Sequence, residues 1–126
     1  MTHPLKGRTG FDRLWRALGY SVAGLRCAYR DESAFRQEVW VALILIPAAF
    51  WLGRSWAEVA LLSGSVTLVL IAELLNSSIE AVVDRVSLDL HDLSKRAKDL
   101  ASAAVFLSVG WCGLVWLTAA WNRFAA

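Results

Sequence analysis

The run from Leu100 to Trp121 is 22 residues long and carries no charged side chain. At ~1.5 Å per residue a helix of that length covers ~33 Å, enough to cross the ~30 Å hydrocarbon layer of a membrane. Inside lipid every backbone N–H and C=O must be bonded within the segment, so such a run has to fold as a helix. The rest of the chain must be compatible with that solvent. Of the 126 residues, 57% are hydrophobic, more apolar surface than a soluble unit of this size can bury. The seven tryptophans agree, because Trp favours the membrane–water boundary. The length allows one compact unit, 1–126, and no internal repeat or low-complexity tract divides it.

Two further spans follow from the pattern. Val39 to Gly53 is uncharged but covers only ~22 Å as a helix, so the segment must begin earlier. The expected helix is 34–53, with Arg36 and Glu38 at the membrane boundary. Asp31-Glu32-Ser33 before it is a polar break rich in capping residues. Pro47 lies inside the span, where membrane helices tolerate a kink. Gly53-Arg54-Ser55 reads as a turn, and a helix over 56–85 follows it. The third span is 100–121, and the charged segment Val86 to Asp99 is placed in water.

The N-terminal part differs. Met1 to Gly10 has no period and reads as a loose terminus. From there Phe11, Leu14, Trp15, Leu18, Val22, Leu25 and Tyr29 recur at three- and four-residue spacing. They form one face of a helix over 11–30, with Arg13, Arg16, Arg26 and Arg30 off that face. Such a helix suits the membrane surface, its apolar side toward the acyl chains, although an ordinary packed helix has the same pattern. The fold class is therefore an all-α membrane protein, with one amphipathic surface helix and three transmembrane helices.

Eleven of the 13 Lys and Arg residues precede the first span, lie between the second and third, or, as Arg36 and Arg85, sit in the span ends that border those segments, with Arg54 and Arg123 the exceptions. The positive-inside rule then places the N-terminus and the Val86–Asp99 segment in the cytoplasm. A secretory signal is not expected, since the first long apolar stretch starts near Val39 and no small-residue cleavage site follows. A net charge of +2 gives no footing for nucleic acid. Cys27 and Cys112 belong to different helices and suggest neither a disulfide framework nor a metal site.

The second span holds the chemistry. Glu73, Asn76, Ser77, Glu80 and Asp84 fall within a sector of about 100° on one helix face. Ionisable groups in a membrane helix are costly and normally face protein or water at a functional site. Glu80 and Asp84 lie near the cytoplasmic end, where carboxylate oxygens suit Mg²⁺. Glu32, at the start of the first span, lies at a similar depth and could complete that site. Glu73 is two turns deeper, held away from water at the level of a lipid hydroxyl, and suits a general base. Asn76 could bond a carboxylate or a phosphate. If the groups served only to join helices, Asn76 and Ser77 would be explained well and two glutamates poorly. His91, Lys95, Arg96, Lys98 and Asp99 add charge in the cytoplasmic segment, which alone is as readily a solvated or headgroup-facing stretch.

The chain has no G-x-x-x-x-G-K-[ST] loop, G-x-G-x-x-G turn, H-R-D, D-F-G or H-E-x-x-H. P-loop and protein-kinase-like enzymes are excluded, so any catalysis must come from the residues above. A small proton-coupled transporter subunit, with Glu73 as the carrier carboxylate, would need neither Glu32 nor Glu80 at the boundary. A purely structural membrane protein would tolerate Glu73→Gln.

The run Glu73-Leu74-Leu75-Asn76-Ser77-Ser78-Ile79-Glu80-Ala81-Val82-Val83-Asp84 resembles the signature of the bacterial diacylglycerol kinase family. The likeness continues in Gly19-Tyr20-Ser21, Gly24-Leu25-Arg26, Ala34-Phe35-Arg36-Gln37-Glu38, His91, Arg96-Ala97-Lys98-Asp99 and Ser102-Ala103-Ala104. The resemblance implies a homotrimer in the bacterial inner membrane, with sites shared between subunits, that transfers the ATP γ-phosphoryl group to diacylglycerol with Mg²⁺. It implies Glu73 as general base, supported by Asn76, and Glu32 and Glu80 as metal ligands. Arg13, Tyr20, Asp89, His91, Lys98 and Asp99 would contact nucleotide. Arg13, Ser21, Arg36, Glu73, Ser102 and Trp116 would lie near the lipid. Asp89 and Asp92 flank His91 where the family pattern has glutamates. A related branch of the family acts on undecaprenol, and the Asp84-Arg85 junction and Ser102-Ala103-Ala104 run look more like the diacylglycerol branch.

Overall fold

The computed structural model describes residues 10–89 and 91–125, which form four helices and, within that range, no strand. The terminus expected to be loose lies, apart from Gly10, outside the described residues. Helix α1 spans Gly10–Asp31, α2 Ser33–Leu52, α3 Trp56–Val86 and α4 Asp92–Phe124. The last three are long and apolar enough to cross a membrane. Helix α2, with 20 residues, just covers the ~30 Å of a hydrocarbon layer. The 31 residues of α3 and 33 of α4 exceed it, so their polar ends extend beyond the apolar depth.

Each boundary has a local cause. Glu32 is extended (φ −112°, ψ 106°) and separates α1 from α2, without capping α2 through its side chain. The corner is held from the other direction. The Arg36 guanidinium donates to the carbonyls of Tyr29 at 2.9 Å and Arg30 at 2.7 Å, so a cation satisfies the open C-terminal end of α1. At the far end of α2, Gly53 N–H still bonds Ala49 O at 2.9 Å. A Cβ there would lie 2.6 Å from Val59 Cγ2 and 2.9 Å from Ala49 O, so close approach requires glycine. Ser55 Oγ then accepts from Glu58 N–H at 3.1 Å and caps α3.

Helix α4 begins eight positions before the uncharged run at Leu100. Its polar first turns are helical because His91 Nδ1 accepts from Leu93 N–H at 3.0 Å and Lys95 pairs with Asp99 at 2.6 Å, four residues on. Much of the segment placed in water is thus helical and continuous with the span.

Helix α3 packs chiefly on α4 and then on α2, while α1 touches mainly α2. The core comprises Ala49, Leu52, Val59, Leu62 and Ala119, with Val115 and Trp116 against it. Small side chains let the backbones approach, the usual way helices associate in lipid. At this end Trp51 packs near Phe124, Phe50 near Trp56, and Arg123 sits 5.2 Å from the Trp51 ring. The Arg54 guanidinium donates to Asn122 O beside them. The α1 stripe, by contrast, is open within the chain, with Phe11 88% and Trp15 74% exposed.

Candidate active site

The buried face of α3 is one continuous line. Leu62, Val66, Val69 and Glu73 are all buried and recur at four, three and four residues, so they face the same neighbours. Asn76, Glu80 and Asp84 continue that line. Glu73 thus takes a core position, and from there the line turns acidic and rises toward the surface. Glu73 is only 8% exposed, Asn76 and Glu80 are half-buried, and Asp84 is exposed.

Glu38 on α2 lies near enough to Glu73 to act on it electrostatically. Glu80 and Glu32 are near enough to act on Glu73 electrostatically. Asn76 Nδ2 makes a long contact of 3.5 Å to Glu80 Oε1, while Asn76 Oδ1 is buried and receives no donor among the described residues. Among those residues none of Glu32, Glu38, Glu73 and Glu80 takes part in an ion pair. Lys98 acts electrostatically on Glu80, whereas a carboxylate as deep as Glu73 is expensive without a partner. Such a group favours a cation or proton brought by something else. No three His, Cys, Asp or Glu side chains among the described residues cluster tightly enough to hold a metal alone. Carboxylate oxygens such as those of Glu32 and Glu80 are of the kind a hard divalent ion takes one or two at a time, completing its shell with phosphate and water.

A second group forms where α3 turns into α4. Asp84, Asp89, His91, Lys95, Lys98 and Asp99 line a cleft of about 180 Å³. Lys98 Nζ bonds Asp84 Oδ1 at 2.8 Å and ties the two helices together. The cap on α4 occupies His91 Nδ1 as an acceptor, which leaves Nε2 to carry the ring proton. Of the residues expected to meet nucleotide, Asp89, His91, Lys98 and Asp99 are therefore together. Arg13 and Tyr20 are exposed on α1, outside that cleft.

A cleft of about 680 Å³ between α1 and α3 is lined by Ser21, Asp31, Glu32, Ser77 and Ala81, among others. The hydrogen bond from Arg30 holds the Asp31 carboxyl below the usual carboxylate range. Ser21 thus lies with one metal-ligand candidate, Glu32. The remaining lipid candidates are not assembled within one chain. Arg36 is engaged with the α1 carbonyls. Ser102 is exposed on α4, and Trp116, fourteen residues on, stands ~21 Å further along the helix axis. The Trp116 indole is fixed on Leu62 O at 3.1 Å.

Glu38 was not singled out by the sequence. It lies in the run Ala34-Phe35-Arg36-Gln37-Glu38, and its place at the edge of a span suggested only a boundary residue. Its distance of one helix from Glu73 depends on how α2 and α3 align, which no spacing within either helix records.

The model of the family described as prokaryotic diacylglycerol kinase matches residues 19–120. A protein named diacylglycerol kinase from Pseudomonas aeruginosa is 52% identical over 115 residues, which cover 91% of this chain and 94% of the relative. One of the same name from Haemophilus influenzae is 47% identical over 108 residues, 86% of this chain and 92% of the relative. The Escherichia coli K12 protein of that name is 47% identical over 116 residues, 92% and 95% of the two chains.

Proposed function

The chain belongs to the prokaryotic diacylglycerol kinase family, and we propose that it phosphorylates the free hydroxyl of diacylglycerol with Mg-ATP at the cytoplasmic face of the bacterial inner membrane. The observation that carries this reading is the acidic continuation of the buried line on α3. Glu73 is deepest, and Glu80, seven residues along the same face, is about 10 Å nearer the α3–α4 turn. That order suits a lipid acceptor below the headgroups and a charged donor above it.

Glu73 accepts the hydroxyl proton as the lipid oxygen bonds to the γ-phosphorus and the bond from that phosphorus to the β-γ bridging oxygen breaks. The products are phosphatidic acid and ADP. Asn76, whose buried carbonyl oxygen has no donor among the described residues, supplies its amide N–H to a phosphate oxygen beside Glu73. Glu32 and Glu80 would hold Mg²⁺, which when bound neutralises charge on the donor phosphates. Lys98, held by Asp84, and His91 meet the nucleotide from the α3–α4 cleft, which Asp89 and Asp99 also line. Arg13 and Tyr20 reach the nucleotide, and Arg13, Ser21, Arg36, Ser102 and Trp116 the lipid, in a homotrimer whose sites combine residues of neighbouring copies. The scatter of these residues within one chain supports that assembly. The exposed apolar stripe supports α1 lying on the membrane surface.

The test is phosphate transfer from γ-labelled ATP by the purified protein in mixed micelles, with diacylglycerol and undecaprenol offered side by side. Faster labelling of diacylglycerol is expected. Preference for undecaprenol would move the acceptor assignment to the other branch of the family. No labelling of either by a folded sample would sink the kinase reading and favour the transporter alternative.

A further inference from the structure

Helix α4 brings two lysines to the α3–α4 cleft, and each has taken one carboxylate. Lys95 Nζ bonds Asp99 Oδ2 at 2.6 Å, and Lys98 Nζ bonds Asp84 Oδ1 at 2.8 Å. Glu80 is left over. It stands four residues before Asp84 on the same face of α3, so the two side chains are neighbours, about 5–6 Å apart at Cβ. Among the described residues the one hydrogen bond to the Glu80 side chain is the 3.5 Å contact from Asn76 Nδ2. A lysine that reaches Asp84 is therefore one helical turn from Glu80, and its flexible four-carbon stem can exchange one carboxylate for the other. Depth favours that exchange. Glu80 is half-buried and Asp84 exposed, and attraction between opposite charges strengthens as water is excluded. That the ammonium rests on Asp84 is what leaves Glu80 without an ion pair.

We propose that Asp84 is a positioning residue that acts through Lys98: its carboxylate holds the ammonium in the α3–α4 cleft, one turn outward from Glu80, and so keeps a protein cation off the metal ligand. This rests on Glu80 holding the divalent ion and Lys98 meeting the donor phosphates. A lysine settled on Glu80 would do harm twice. It would occupy an oxygen that the divalent ion needs, and it would withdraw positive charge from the cleft. Asp84 keeps the two roles apart, with the metal on the inner carboxylate and the ammonium on the outer one. When nucleotide arrives, its phosphates share Lys98 with Asp84, and no ion pair has to break before the metal reaches Glu80.

The experiment compares the wild type with Asp84→Asn, Lys98→Met and the double variant, each verified as folded by thermal melting in detergent. Asp84→Asn keeps the shape of the side chain and removes its charge. The first measurement needs neither metal nor turnover. A carbodiimide joins a lysine to a carboxylate in contact with it, and mass spectrometry identifies the pair, with the Lys95–Asp99 contact as internal control. Lys98 is expected to link to Asp84 in the wild type and to Glu80 in Asp84→Asn. Absence of a Lys98–Glu80 link in Asp84→Asn, beside an intact Lys95–Asp99 link, overturns the proposal. The second measurement is the Mg²⁺ concentration for half-maximal rate at saturating ATP. Asp84→Asn is expected to raise it about two- to fivefold. The double variant is expected to return to the value of Lys98→Met, because no ammonium remains to occupy Glu80. A purely structural tie would predict otherwise, since Asp84→Asn and Lys98→Met break the same bond. Equal displacement of the midpoint by the two single variants therefore overturns the proposal. A raised midpoint that persists in the double variant also overturns it, since Asp84 would then act without Lys98. The metal assignment is tested separately by Glu80→Gln. An unchanged magnesium requirement there defeats that assignment, whereas a missing Lys98–Glu80 link defeats only the role of Asp84.

Discussion

Trp116 Nε1 on α4 donates to Leu62 O on α3 at 3.1 Å, and the same oxygen accepts the Ser65 hydroxyl at 2.8 Å. A side chain from one helix thus reads the backbone of another, at the apolar end of the line that later carries the acidic groups. Trp116→Phe keeps the ring and removes the bond. It is expected to lower stability by about 1 kcal/mol, measured by thermal unfolding in detergent. Leu62 lies eleven residues from Glu73, ~16 Å along the axis, so kcat at saturating lipid is expected to remain unchanged.

Glu73→Gln preserves size and hydrogen-bonding capacity but cannot take a proton. Turnover is expected to fall by about 10²- to 10⁴-fold, with helix content and melting intact. Near-normal turnover would remove Glu73 as the base.

Glu80→Gln addresses the metal. Neutralising one of two carboxylate ligands is expected to raise the Mg²⁺ concentration required for half-maximal rate about tenfold or more. A magnesium titration at fixed ATP reads this. A lower rate with an unchanged magnesium requirement would take Glu80 out of the metal set.

Lys98→Met breaks the 2.8 Å pair with Asp84. Both side chains are more than two-fifths exposed, so solvent screens the pair and its loss should barely move the melting temperature. The effect expected on function is larger, a rise of about tenfold in KM for ATP, because a cation leaves the proposed donor site. Equal KM in variant and wild type would place Lys98 among structural ties only.

Gly53→Ala puts a methyl group 2.6 Å from Val59 Cγ2 and 2.9 Å from the backbone oxygen of Ala49. The carbonyl cannot swing aside without breaking α2. Destabilisation of about 1–3 kcal/mol is expected, visible as a lower melting temperature. A melting temperature equal to wild type would mean that the α2–α3 turn yields more easily than its contacts indicate.

The helical, membrane-compatible architecture was legible because lipid leaves few choices to an uncharged run such as Leu100–Trp121. The acidic face of α3 was legible because one helix fixes the angles among Glu73, Asn76, Glu80 and Asp84. What composition could not mark was where α4 starts. Hydropathy reports depth in lipid, whereas Asp92 to Asp99 are helical through a His91 cap and a Lys95–Asp99 pair. Arg36 looked like a boundary charge with lipid in reach, yet it closes the α1–α2 corner. Glu38 escaped notice for a related reason. Its nearness to Glu73 is a property of two helices in register, and a linear spacing holds no information on that alignment.

The unbroken line from Leu62 through Glu73 to Asp84 also sets a phase. The apolar half anchors α3 against its neighbours, and the acidic half inherits its direction from that anchor. One residue inserted between Val69 and Glu73 would rotate every acidic group by ~100° about the helix axis and swing the set out of its interface. An insertion of four residues would bring it back to within ~40°, displaced by about one turn toward the α3–α4 end. The direction of the acidic face is therefore tied to a rotational setting established along the apolar half of the same helix.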